Sequence, residues 1–130
     1  LFSLNFTMNL TTLSSEMDVE VALDRLCGDS ALLLEILDMF LTEFIAEQPN
    51  FQDLLRQSDW AALSRKAHYF KGVAENLGLT RFSSEILSLE QFSNSANLAA
   101  CIQTLELLMQ MAQNIQSLRK ALQNENRYCR

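Results

Sequence analysis

The histidine at position 68 is the only one in the chain, and it is the residue best suited to nucleophilic chemistry. A neutral imidazole, with a reference pKa of about 6.5, can attack a phosphoryl group near neutral pH and later release it. Lys71 follows at a spacing that lets its ammonium reach a group on the imidazole if the segment is helical. Arg65 and Lys66 precede it, and residues 60–74 contain no carboxylate. This pattern predicts a surface that tolerates an anion.

A helix is predicted around His68, because apolar residues recur there at intervals of three and four. They are Trp60, Leu63, Ala67, Phe70, Ala74 and Leu77. At about 100° per residue, His68 lies roughly 130° from the centre of this seam. We therefore expect its imidazole to face solvent, although an idle surface histidine would have the same placement.

Gly72 lies one turn beyond His68 and on the side away from the seam. A glycine inside a helix costs about 1 kcal/mol relative to alanine, and close packing of another helix usually explains it. Packing does not account for a glycine that points away from the core. We predict that Gly72 leaves clearance for a partner to approach His68.

The elements that position these residues are all helical in our prediction. Three glycines and one proline leave few turn residues, and the apolar spacing repeats along the chain. We expect an antiparallel four-helix bundle with a short extra N-terminal helix, an all-α fold. The predicted helices span about residues 18–26, 30–57 with a kink or restart at Pro49, 59–77, 80–92 and 98–122.

Length and composition indicate one globular domain. Of 130 residues, 48% are hydrophobic and 20% charged. Residues 16–130 form the predicted domain, and the uncharged residues 1–15 are predicted to be a linker or tail.

The net charge of −6 argues against nucleic acid and anionic membranes as partners. No apolar run reaches the roughly 20 residues that span a bilayer. An odd number of widely spaced cysteines fits a reducing cytoplasm.

The residues of a self-contained enzyme are missing from the sequence. It has no P-loop, no glycine-rich nucleotide loop and no second histidine for a metal pair. A serine triad would have to use the same histidine. We therefore expect no metal and no cofactor, and we expect a partner to deliver any phosphoryl group. Whether the chain counts as an enzyme stays open.

Residues 67–78, AHYFKGVAENLG, resemble the signature of the histidine-containing phosphotransfer (HPt) domain family: histidine, lysine at +3, glycine at +4 and an Asn-Leu-Gly helix end. Residues 23–44, LDRLCGDSALLLEILDMFLTEF, resemble the first helices of that family. Glu90 falls where the family often keeps a polar residue near its site. The resemblance covers about residues 18–122.

This resemblance implies that His68 takes a phosphoryl group from an aspartyl phosphate on one receiver domain and gives it to the aspartate of another. Lys71 would steady the phosphoryl group, and magnesium would belong to the receiver. Gly72, Arg65, Tyr69 and Glu75 are the candidate docking residues. Tyr69-Phe70 is bulkier than the residues common in the family, and Tyr69 is a candidate for receiver choice.

The expected partners are receiver domains of response regulators or hybrid kinases. The chain begins at Leu1 rather than at a methionine, which favours the C-terminal module of a hybrid sensor histidine kinase. We expect a monomer in the cytoplasm, tethered to a membrane only through such a parent. Two alternatives stay open: the N-terminal domain of a chemotaxis-type kinase, phosphorylated directly by an ATP-binding domain, and a non-catalytic helical interaction module.

Overall fold

The fold is a bundle of four long helices, as the sequence predicts. A computed structural model describes residues 13–128, with side chains through Leu122, and this part contains no strand. Its helices are α1 (Val19–Arg25), α2 (Ser30–Ala46), α3 (Gln48–Arg56), α4 (Trp60–Asn76), α5 (Thr80–Asn94) and α6 (Leu98–Tyr128). α4 packs mainly against α5, and α6 packs against α5 and α2. No described helix is both long and apolar enough to cross a bilayer.

Aspartates begin three of the helices. Asp18, Asp29 and Asp59 each accept a hydrogen bond from the backbone N–H three residues later, which satisfies a donor that the helix itself leaves unpaired. Pro49 lies in the first turn of α3, where its missing N–H costs nothing. The helix therefore restarts after Ala46, one of the two outcomes that the sequence allowed.

Five phenylalanines form the centre of the core, with ring centroids of contacting pairs 5.0 to 6.2 Å apart. They are Phe40, Phe44, Phe51, Phe70 and Phe82. The seam predicted for α4 is confirmed, since its residues from Leu63 to Ala74 are buried. This burial fixes the rotation of α4 and so decides which of its residues face outward.

Two features of the bundle differ from what the sequence pattern indicates. Leu98 and Ile102 continue the apolar spacing of three and four along the last helix, but they remain 44% and 40% exposed. They lie at the edge of the stripe, which begins at the fully buried Cys101. The second concerns the tail predicted to reach residue 15, because Leu13 is completely buried. The folded part thus begins by Leu13, while residues 1–12 lie outside the described residues.

The N-terminal segment is anchored to the turn between α4 and α5. The backbone N–H of Asp18 donates to the carbonyl of Gly78 at 2.7 Å. Arg81 at the start of α5 pairs with Glu16 at 3.3 Å. These contacts fasten the residues before α1 to the helix pair that carries His68.

Candidate functional site

His68 lies on the outer face of α4, and 69% of its side chain is exposed. Its neighbours Ala67 and Phe70 are buried against the other helices. Because this packing sets the rotation of α4, the imidazole is directed outward. The exposure predicted for His68 is confirmed.

A carboxylate on the neighbouring helix connects His68 with Lys71. Glu90 of α5 places Oε1 3.2 Å from Nδ1 of His68 and Oε2 3.1 Å from Nζ of Lys71. Only 18% of the Glu90 side chain is exposed, as is 18% of that of Lys71. The pairing of α4 with α5 thus brings the carboxylate of Glu90 to an imidazole and an ammonium that lie 22 and 19 residues earlier in the sequence. Position 90 was noted in the sequence only as polar and close to the site.

The contact with Glu90 determines which nitrogen of His68 is free. An ionised carboxylate can only accept hydrogen bonds, so Nδ1 must carry the proton that it donates to Oε1. The lone pair of the neutral ring then lies on Nε2, away from Glu90. The arrangement favours attack from Nε2.

Lys71 is held by Glu90 but keeps capacity for another contact. Its ammonium has three donors, and the ion pair with Glu90 uses one of them. A phosphoryl oxygen on the neighbouring imidazole is a suitable acceptor for a second. The position of Lys71 is therefore compatible with the role that the sequence suggested for it.

The two basic residues before His68 have different environments. Lys66 pairs with Glu47 at 2.7 Å and lies 5.8 Å from the centre of the Phe51 ring. This hydrogen bond is the main reason why the pKa of Glu47 is lowered. The grouping of Lys66 with Arg65 in one basic surface was therefore wrong, because Lys66 is neutralised at the junction of α2 and α3. Arg65 is exposed.

Tyr69 borders the site on the side of α2. Its side chain is 54% exposed, and its ring lies edge-on to Phe70 with centroids 5.1 Å apart. The charge of Glu43 raises the pKa of Tyr69, and a hydrogen bond with the same carboxylate adds to this effect. Tyr69 thus presents a half-exposed aromatic ring whose hydroxyl is held by α2.

Gly72 and Glu75 complete the outer face of α4. A Cβ atom added at Gly72 would meet nothing within 4 Å, so no helix packs closely against this glycine. Glu75 is exposed, and its backbone carbonyl accepts a hydrogen bond of 2.6 Å from Arg25. The four candidate docking residues and His68 therefore lie on one helix, with open space above Gly72.

Comparisons with known proteins agree with this architecture. The family model of the Hpt domain matches residues 35–125. A rice protein assigned as a histidine-containing phosphotransfer protein has a similar structure, with a TM-score of 0.77 and 15% identity over 91% of this chain and 88% of its own. Histidine-containing phosphotransfer protein B from Pseudomonas aeruginosa PAO1 has a TM-score of 0.69 and 20% identity, over 88% of this chain and 97% of its own.

No curated protein matches the sequence significantly. At 15% and 20% identity the two structures show a shared fold, whereas the family model covers most of the chain. The chain belongs to the Hpt domain family and has a phosphotransfer role in two-component signalling.

Proposed function

We propose that His68 is the phosphoacceptor of a phosphorelay. It accepts a phosphoryl group from the aspartyl phosphate of one receiver domain and passes it to the aspartate of a response regulator. The observation that carries this proposal is the exposed imidazole whose Nδ1 is occupied by Glu90, leaving Nε2 free. The match of the Hpt model to the surrounding residues supports it.

The transfer needs no proton movement in this geometry. The lone pair of Nε2 attacks phosphorus, the bond between phosphorus and the aspartyl oxygen breaks, and the receiver carboxylate leaves with its electron pair. The phosphorylated ring keeps its Nδ1 proton and becomes cationic, so Glu90 at 3.2 Å stabilises the product. In the second half of the relay, an aspartate attacks the same phosphorus and the neutral imidazole returns.

Lys71 acts on the phosphoryl group in this proposal. It lies beside the imidazole, and its pairing with Glu90 limits repulsion between that carboxylate and the incoming anion. In this proposal magnesium is held by the receiver, and the described residues of this chain contain no group of three or more side chains that could hold a metal ion. Catalysis then consists of positioning and charge stabilisation, as in other phosphoryl transfers.

Arg65, Tyr69, Gly72 and Glu75 form the docking face of α4 for the receiver. The common position of these residues around His68 and the open space above Gly72 support this assignment. The proposal includes a cytoplasmic location, which the odd, widely spaced cysteines support.

The test compares the unmodified protein with His68→Gln. We expect His68→Gln to abolish phosphoryl acceptance from a phosphorylated receiver and to change the free energy of unfolding by no more than about 0.5 kcal/mol, as for other exposed substitutions. Phosphorylated protein and receiver are separated by electrophoresis, and unfolding is followed in urea. Retained transfer in the variant would contradict the assignment.

Two further reactions address the alternatives. A chemotaxis-type phosphoacceptor would be labelled by an ATP-binding kinase domain with ATP and not by a phosphorylated receiver. A non-catalytic interaction module would be labelled by neither. A phosphorelay intermediate, in contrast, would exchange the phosphoryl group rapidly with receivers.

A further inference from the structure

Arg65 differs from most of the described basic residues in having no partner. Eight of the ten Lys and Arg side chains are described, and six of these eight contact an oxygen atom. The contacts join Arg25 to the carbonyl of Glu75, Arg56 to Asp53, Lys66 to Glu47, Lys71 to Glu90, Arg81 to Glu16 and Arg119 to Asp38. Among the described lysine and arginine side chains, only Arg65 and Lys120 make no hydrogen bond or ion pair.

Arg65 lies next to His68, so its unpaired charge is available to a partner that approaches the imidazole. Residues three apart lie on the same side of a helix, so Arg65 and the imidazole are neighbours on the exposed face of α4. The carboxylates that flank α4 are engaged elsewhere: Glu47 with Lys66, Glu90 with Lys71 and His68, and Glu43 with Tyr69. Nothing in the described part of the chain neutralises Arg65.

A receiver approaches this surface against an electrostatic cost. The chain carries a net charge of −6, and the phosphoryl group and aspartate that it must meet are anionic. Long-range repulsion lowers the encounter rate, whereas a single exposed cation beside the acceptor favours encounters in the correct orientation. Lys71 is unsuited to this task because it is largely buried and already paired with Glu90.

We propose that Arg65 is a specificity-determining residue that pairs with a carboxylate at the rim of the receiver's phosphorylation site. The inference rests on the proposed function. It requires that an acidic group of the receiver faces the helix turn before His68. Arg65 acts on association with the receiver and leaves the chemistry at His68 unchanged.

The experiment compares Arg65→Glu with Lys120→Glu. Both variants change the net charge equally and replace an unpaired, exposed cation, but Lys120 lies on α6, which packs against α5 and α2. The second-order rate constant for transfer from a phosphorylated receiver is measured between about 0.02 and 0.5 M salt, a range over which screening changes strongly. Phosphorylation by phosphoramidate is measured in parallel, and thermal melting checks folding.

We expect Arg65→Glu to lower the low-salt rate with the receiver about tenfold and to weaken its salt dependence. Lys120→Glu should change the low-salt rate less than about twofold, because Lys120 lies on α6 and not beside His68. Arg65→Lys should keep most of the rate, because lysine retains a positive charge near the site. All variants should react with phosphoramidate at the normal rate.

Three results would overturn this inference. Equal slowing by Arg65→Glu and Lys120→Glu would show an effect of net charge alone. Slowing with phosphoramidate would place Arg65 at the phosphoryl group and not at the receiver. Failure of the unmodified protein to react with either donor would remove the proposed function, and the docking role with it.

Discussion

Glu90 is the residue on which the chemistry of the site depends most, apart from His68 itself. Before transfer it orients the imidazole through Nδ1 and pairs with Lys71. In the proposed transfer the phosphorylated ring is cationic, so one carboxylate would face two cations. Because Glu90 is mostly buried, its interaction with both is screened less than that of a surface ion pair. In the proposed reaction, this carboxylate would therefore favour the phosphorylated state of the ring.

Substitution of Gly72 by alanine tests whether this glycine serves packing or access. With nothing within 4 Å of the added Cβ, Gly72→Ala should raise the free energy of unfolding by about 0.4 to 1 kcal/mol, because alanine has the higher helix propensity. Urea denaturation monitored by circular dichroism measures this. Destabilisation by about 1 kcal/mol or more would indicate a tight helix contact and contradict the structure.

The larger substitution Gly72→Gln tests access to His68 directly. It should preserve the fold and slow transfer from a phosphorylated receiver, because the side chain would stand between the docking partner and the imidazole. Phosphoramidate is small and should react almost normally. Gly72→Ala is the matched control, with a smaller effect on receiver transfer. Normal exchange of Gly72→Gln with receivers would remove the clearance argument.

Residue positions along α4 could be predicted from the sequence, whereas contacts between helices could not. The spacing of buried residues in one helix fixed the outward direction of His68 and Gly72. The partners of Lys66 and Lys71 depend on how α4 is aligned with α3 and α5, and helical periodicity does not contain that alignment. This is why Lys66 was wrongly grouped with Arg65 and why Glu90 was not assigned a role.

At the level of the elements, the turn between α4 and α5 requires a glycine for two reasons. Gly78 has a φ of +69°, and a Cβ atom there would lie 2.6 Å from the carbonyl oxygen of Asp18. Its own carbonyl accepts the backbone N–H of Asp18. The turn can thus approach the N-terminal segment only if residue 78 has no side chain.

Gly78→Ala should therefore lower the free energy of unfolding by about 2 kcal/mol or more, since backbone strain and a steric clash add. Gly28 is a suitable control, because its φ of +78° imposes the same strain but no atom lies within 4 Å of its added Cβ. Gly28→Ala should cost about 1 kcal/mol. If the two variants were equally stable in urea, the close approach to Asp18 would be disproved.

The helix boundaries were predicted well where a side chain marks them. Asp59 caps α4 and Gly78 follows its end, both within the segment where the sequence indicated them. The start of the fold was predicted less well, because residues 1–15 carry no charge pattern and no helical stripe that would reveal the burial of Leu13.

For the whole molecule, we predict a monomer. Within residues 13–122, the large apolar side chains that remain exposed are distributed over five helices: Val21, Leu32, Met39, Tyr69, Leu87, Leu98, Ile102 and Leu107. Scattered single residues of this kind are ordinary on soluble domains and do not form a dimer interface. Sedimentation velocity should show one monomeric species. A stable dimer that Ile102→Gln abolishes would instead place an interface at the groove of about 470 Å³ between α3 and α6.

The bundle itself was predictable because it depends on a repeated pattern and not on particular residues. The rice structure shares the fold at 15% identity, which is possible when the spacing of apolar residues, the caps and the short connections are kept. The groove beside α3 was not predictable, because Leu98 and Ile102 continue the apolar spacing of α6 even though no helix covers them.

The central claim, that Nε2 of His68 carries the phosphoryl group, is tested most directly by identifying the phosphorylated atom. After reaction with a phosphorylated receiver, phosphorus–proton correlation NMR distinguishes the two phosphohistidine isomers, and His68→Gln serves as the blank. We predict a single phosphohistidine at His68 with phosphorus bonded to Nε2, because Nδ1 is held by Glu90. Phosphorus on Nδ1, or on any other residue, would contradict the account.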